Sequence, residues 1–443
     1  MREGSVCFTR KKGIINVYEK LMWQILDSNN LNKAYKKVVS KKGASGVDGM
    51  AVEELGPYFY QNKAKICEQL RTRTYQPQPV RRVEIPKPSG GKRLLGIPTV
   101  SDRLVQQAIA QVLTPIFDKQ FHKNSFGFRP RRYAEMAIIQ ALEYMNDGYE
   151  WIVDIDLERF FDTVHHDRLM NLFAKTIKDG DVVSIVRKFL VSGIILNDEY
   201  KDTVIGTPQG GNLSPLLSNI MLNELDQELE SRGLRFVRYA DDCIILVRTE
   251  MAARRVLRSI KKFIEGKLGL IVNGSKTKIT KPNDPNLKFL GFGFYYDRVD
   301  GLYKAKIPPK TLSEFQYKLK RYTQRTWSVR MDYRLERINS LIRGWVNYFK
   351  LANMKVILRQ VDAHTRFRLR MCIWKQWKTP KRKRWALRKL GMSDNDAYMS
   401  SYTKKSYARV AASRIMTTTV TNRKLAQKGL LSGYEYYLKV HVI

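Results

Sequence analysis

Cysteine is scarce in this chain of 443 residues: only Cys7, Cys67, Cys243 and Cys372 are present, and no two approach a C-x-x-C spacing. A disulfide framework or a cysteine-built zinc site is therefore not expected, and a reducing intracellular compartment is. Long apolar runs are also missing, so no membrane-spanning helix is expected and a membrane is not an expected partner. Arg10, Lys11 and Lys12 interrupt the first residues, where a signal peptide would need an unbroken apolar centre. Internal repeats and low-complexity tracts are absent. The last shortage is of acid: 42 Asp and Glu face 80 Lys and Arg, leaving a formal charge of +38.

Such an excess points to a polyanionic partner. Hydrophobic residues at 43% and aromatics at 11% exclude a disordered chain, and at about 150 residues per domain the length suggests two or three domains. The charge is unevenly spread. Residues 1–300 hold 47 basic and 35 acidic residues, whereas residues 301–443 hold 33 and 7. At that density self-repulsion would destabilise a compact domain unless a polyanion offsets it.

Residues 1–20 read as an extension. Apolar positions between Leu21 and Val39 predict two short helices around Asp27–Asn30. Two extended segments flank Ser89-Gly90-Gly91, and helical periodicity returns at Ser101–Phe117 and Tyr133–Met145. Segments 151–157, 235–247 and 287–296 are rich in β-formers, and helix dominates after Pro309. Strands first and helices after describe an α+β body followed by an all-helical region, with the boundary at Lys304–Pro309.

In segment 151–157 the period of a strand puts Asp154 and Asp156 on one face among apolar neighbours. Acid in so apolar a strand is costly unless a cation compensates it. In segment 235–247 Asp241 and Asp242 sit between apolar runs, as in a tight hairpin, and adjacent like charges also call for a cation. A carboxylate on one strand and a pair on a neighbouring hairpin can hold two Mg²⁺ ions through oxygen ligands, with Mn²⁺ as a substitute. Two such ions stabilise the attacking and leaving oxygens of a phosphoryl displacement, which is nucleotidyl-transfer chemistry.

Tyr239-Ala240-Asp241-Asp242 resembles the catalytic box of reverse transcriptases, and Gly206–Pro215 resembles the block before it in the group II intron-encoded members. Similar blocks recur at Arg82–Lys87, Gly127–Pro130 and Leu290–Phe292, and Leu341–Phe349 resembles the maturase region of that family. Six blocks in the right order cover the chain from about Leu21 onward.

The resemblance implies a right-hand polymerase fold, with residues 21–145 as N-terminal helices and fingers, 146–305 as palm with part of the fingers, 306–385 as thumb and maturase region, and 386–443 as a DNA-binding region. It implies that Asp156, five residues before Phe161, is the palm ligand alongside Asp241 and Asp242, and it adds Leu157 to the metal-contacting residues. Phe161 becomes a steric gate against ribonucleotides, while Phe160 is expected in the core. Lys87 and Arg93 are expected on the triphosphate, Gln209, Tyr239 and Ala240 on the nucleotide, and Leu290, Gly291 and Phe292 at the primer terminus. Lys378, Lys381, Arg382, Lys383, Arg384, Arg388 and Lys389 suit a phosphate backbone. The implied partners are intron RNA, an RNA template, a DNA primer or target, and deoxynucleoside triphosphates, in a bacterial cytoplasm with nucleoid association during retrohoming. After Cys372 the chain has only His441 and no cysteine, so the resemblance is to the compact branch without an HNH endonuclease domain. Rival readings are a splicing cofactor whose polymerase activity is incidental, and a reverse transcriptase of a diversity-generating or CRISPR-associated system. The maturase-like block favours the intron-encoded reading.

Overall fold

In a computed structural model, residues 21–86, 91–197, 199–207 and 210–441 are described. The extension 1–20, Lys87 and Gln209 lie outside them. Two compact units emerge: one runs to Tyr144 and continues over Gly148–Thr280, the other combines Met145–Asp147 with the chain from Lys281. The chain is α+β, with a C-terminal region that is helical. Among the described residues no helix is long and apolar enough to cross a membrane.

The first unit opens with helices Leu21–Ile25 and Ser28–Ser40. Asp27 separates them because its carboxylate accepts from the N–H groups of Asn29 and Asn30, at 2.8 and 3.2 Å, and so caps the second helix. Leu31, Ala34 and Val38, spaced at helical intervals, bury that helix's inner face. Eight strands follow: β1 (Val80–Pro86), β2 (Lys92–Ile97), β3 (Trp151–Ile155), β4 (Ile194–Leu196), β5 (Glu199–Lys201), β6 (Arg235–Tyr239), β7 (Asp242–Val247) and β8 (Lys278–Thr280). One sheet has the order β2-β1-β4-β5, and the other, all antiparallel, the order β6-β7-β3-β8. In the second sheet β3 is buried on both faces: Ile152 and Val153 point opposite ways and both are fully covered. Each such side chain contributes about 1.5–3 kcal/mol, which anchors the strand that carries Asp154.

Segment 287–296 is not the continuous strand that its composition predicts. Phe289 and Phe292 exchange backbone hydrogen bonds at 3.0 and 2.9 Å around a two-residue turn, Leu290-Gly291, with φ of 48° and 83°. Only a glycine takes the second position without strain. Extended pairing begins at β9 (Gly293–Asp297), which forms a hairpin with β10 (Leu302–Lys306) in the second unit.

Helices Pro309–Tyr322, Met331–Phe349 and Lys355–Gln376 build the body of that unit. Trp345, half-buried, stacks on the buried Phe315 ring with centroids 4.1 Å apart. Helix Gly433–Val440 returns to pack against the last two. The carboxylate of Asp362 caps it, accepting from the Ser432 hydroxyl at 2.7 Å and the Gly433 N–H at 2.9 Å. Tyr437 is fully buried, and its hydroxyl donates to the Ala352 carbonyl at 2.9 Å.

Candidate active site

Tyr239 and Asp242 pair across the end of the β6/β7 hairpin, leaving Ala240-Asp241 as a two-residue turn. Because β7 pairs with β3, the turn carboxylates lie at the end of β3 that leads into Asp156. Asp154, within β3, lies opposite Ile244 on β7 and Lys278 on β8. Partial burial pushes its carboxyl up from 3.8 to about 6, reinforced by the charge of Asp156 and opposed by Lys278. Burial likewise pushes Asp241 up; Asp156 adds to the rise, and Arg93 and Arg238 oppose it. Asp242 is pushed up to about 6, first by desolvation over the apolar sheet and then by Asp241, Asp154 and Asp156, with Lys276 acting against them.

These mutual effects place Asp154, Asp156, Asp241 and Asp242 in one electrostatic field, with Arg93 of β2 inside it. Lys276 stands 3.3 Å from the Asp156 carboxylate as a counter-charge. The Asp156 N–H donates to the Thr277 hydroxyl at 3.2 Å, while the Asp156 carbonyl accepts from the Asn273 N–H at 2.9 Å. Leu157 is buried and bridges to Val272. Among the described residues no group of three or more His, Cys, Asp and Glu converges closely enough to be a preformed metal cluster.

Phe160 is buried, as expected, and Phe161 is half-buried, edge-on to it with centroids 5.2 Å apart. The Phe161 carbonyl accepts from the Thr207 N–H at 2.6 Å, and Asp162 forms an ion pair with Arg82 of β1. Gly210, at φ 130°, lies so close to β2 that a Cβ there would stand 2.3 Å from the Gly96 carbonyl oxygen. Thr207 is thus tied to the Phe161 segment, and Gly210 is pressed against the strand of Arg93. Gly127, in the block at 127–130, packs against the Ala240-Asp241 turn: a Cβ there would meet the Ala240 nitrogen at 2.2 Å.

Two family descriptions match the chain: reverse transcriptase (RNA-dependent DNA polymerase) over residues 85–294, and group II intron, maturase-specific domain over residues 312–391. Protein YkfC of Escherichia coli is 34% identical over 313 residues, covering 62% of this chain and 82% of YkfC. Group II intron-encoded protein LtrA of Lactococcus lactis is 30% identical over 369 residues, covering 68% of this chain and 61% of LtrA. The chain belongs to the group II intron-encoded reverse transcriptases and maturases. The chain spans 61% of LtrA's length.

The reverse transcriptase match contains the four carboxylates, Arg93 and Phe161, and the maturase match contains the basic helix Pro380–Lys389. In the second unit the Leu290-Gly291 turn is braced by the maturase-like block. The Tyr348 hydroxyl donates to the Leu290 carbonyl at 2.9 Å, and Phe292 packs on Phe349 with centroids 4.9 Å apart. Lys378, Lys381 and Arg382 are exposed. Lys383 lies over the Trp374 ring, Lys389 over Trp385, and both Arg384 and Arg388 pair with Asp394. The seven basic positions therefore differ: two are partly neutralised, while three face solvent at the helix start.

Sequence reading missed Lys276 and Lys278, which lie on or beside a three-residue strand too short to show a period. Their alternation in Lys276-Thr277-Lys278 was the available signal. It also missed Asp226 and Asn219, whose partner Arg238 lies inside an otherwise apolar strand.

Proposed function

We propose that this protein is an RNA-directed DNA polymerase that extends a DNA primer on an RNA template and also binds the intron RNA that encodes it, assisting splicing and retrohoming. The observation that carries the reading is the shared field of Asp156, Asp241 and Asp242 at one end of the β3/β7 pair, with Arg93 inside it. In this reading residues 21–145 supply fingers, 146–305 palm, 306–385 thumb and maturase surface, and 386–443 a DNA-binding region.

The donor set suits a hard divalent cation. It consists of carboxylate oxygens, and a cation would relieve both the burial of Asp241 and Asp242 and the like charge gathered beside them. Mg²⁺ commonly uses one or two carboxylates and completes its shell with substrate phosphates, which fits side chains that do not already converge. Asp156, Asp241 and Asp242, with Leu157 beside them, would hold two Mg²⁺, or Mn²⁺ in their place. When bound, such ions activate the primer hydroxyl and neutralise charge on the transferred phosphate. The chain's own residues do the rest. Arg93, with Lys87 and Gln209 in the same reading, holds the triphosphate through charge and fork-shaped donors. Tyr239 and Ala240 face the nucleotide, the Phe161 ring fills the space of a 2′-hydroxyl, and Leu290, Gly291 and Phe292 steady the primer end. The basic helix Pro380–Lys389 tracks an RNA or DNA backbone.

The test is primer extension on an RNA template with Asp241→Asn beside the wild type. Extension should be abolished while template binding is nearly intact; retained extension refutes the metal assignment. The maturase-specific match favours splicing assistance as a second activity of the same chain. A splicing assay at low Mg²⁺ should show stimulation by Asp241→Asn, and a requirement for Asp241 there refutes two separable activities.

A further inference from the structure

Arg238 immediately precedes the catalytic box and is completely buried. Its Nε and Nη2 donate to the two carboxylate oxygens of Asp226 at 2.7 and 2.5 Å. Its Nη1 donates to Asn219 Oδ1 at 3.0 Å and to the Ala240 carbonyl at 2.9 Å. Asn219 and Asp226, seven residues apart, share one face of helix Ser214–Ser231. The Asn219 amide in turn donates to the Gly127 carbonyl at 2.9 Å. One buried network thus joins that helix, the segment around Gly127 and the turn between Tyr239 and Asp242.

A buried ion pair is poor evidence of stabilisation, because desolvating both charges costs about what their attraction returns. An apolar pair would fill the same space. What an apolar pair cannot do is donate to the Ala240 carbonyl. Ala240 has φ of 58°, a left-handed conformation that an ordinary residue seldom adopts and that persists only when its surroundings enforce it. The enforcing contacts are the guanidinium on the carbonyl side and, on the nitrogen side, Gly127, whose missing Cβ lets the backbones touch.

We propose that Arg238 and Asn219 are positioning residues for Asp241 and Asp242: they hold the Ala240 turn in its strained conformation and so aim the adjacent carboxylates. The proposal rests on the polymerase reading for its catalytic consequence, though not for its structural one. Asn219 is the residue to change, because Asn219→Ala leaves the Arg238–Asp226 pair intact.

Three measurements on the full-length chain decide the matter. Hydrogen exchange of the peptide spanning 239–243, without metal, should quicken about tenfold in Asn219→Ala, the equivalent of one lost hydrogen bond in a local opening. The primer-extension kcat should fall by about 10²-fold with KM for nucleotide unchanged, as expected when reacting groups are misaimed by about 1 Å. The midpoint of thermal unfolding should move little. Arg238→Lys, which keeps a charge for Asp226 and loses the fork, is the second arm and should show the same local exchange defect. A kcat within twofold of wild type overturns the proposal, as does a uniform rise in exchange across the first unit with matching loss of melting temperature. If the wild type itself extends no primer, the polymerase reading falls, and the exchange experiment alone then judges whether the clamp exists.

Discussion

Replacing Asp154 with Asn tests the electrostatics of the site separately from its chemistry. The folded carboxyl is raised from 3.8 to about 6, which at 1.36 kcal/mol per pH unit corresponds to about 3 kcal/mol. Asp154 is only partly buried and Lys278 lies opposite, so solvent and that ammonium reduce the figure to about 1 kcal/mol. The sign follows from proton binding. Between about pH 4 and about pH 6 the folded carboxyl holds its proton more tightly than the unfolded one, so wild-type stability falls as pH rises through that window and the penalty is complete above it. Asp154→Asn carries no such penalty. Urea unfolding should find the variant more stable by about 1 kcal/mol at pH 7.5 and equal to wild type near pH 4. Primer extension should survive in Asp154→Asn and vanish in Asp156→Asn. A variant less stable than wild type at pH 7.5, or a gain independent of pH, would refute the reasoning.

Phe161→Ala should raise ribonucleotide incorporation on the order of 10²-fold, the scale on which a pocket rejects an added hydroxyl; competitive extension with mixed nucleotides measures it, and unchanged sugar selectivity removes Phe161 from the gate. Replacing Lys378, Lys381 and Arg382 together with Gln should reduce the slope of log binding constant against log salt by about 2 on RNA, at about 0.7 per phosphate contact. Arg384→Gln should change that slope less, because Asp394 already offsets its charge; equal effects per residue would refute this ranking. Tyr437→Ala should destabilise the second unit by about 3–5 kcal/mol, the cost of emptying a fully buried aromatic site, and an unchanged unfolding transition would show that helix Gly433–Val440 is not integral to it.

The strands that hold the carboxylates were legible because each announces itself locally. Ile152, Val153 and Ile155 around Asp154, and the apolar run after Asp242, are patterns of period and composition within a few residues. The first two helices were legible through Asp27, whose capping role is also local. Segment 287–296 failed for a complementary reason: its aromatics favour a strand, but Leu290-Gly291 takes a left-handed turn that is braced by Tyr348, more than fifty residues away. The docking of the C-terminal helix was hidden too, since nothing near Tyr437 announces that Asp362 and Ala352 await it.

By itself, the sequence determined the chemistry on offer: which segments extend, which carboxylates are too apolar in context to go uncompensated, and where positive charge accumulates. Tertiary structure alone decided how that chemistry is aimed. Lys276 reaches Asp156 across 120 positions, Arg238 ties helix Ser214–Ser231 to the Ala240 turn, and Gly127 admits that turn by lacking a side chain. Period and composition report the face that a segment presents. The partner it meets depends on complementary shape and charge from distant parts of the chain, and those become neighbours only when the sheet closes.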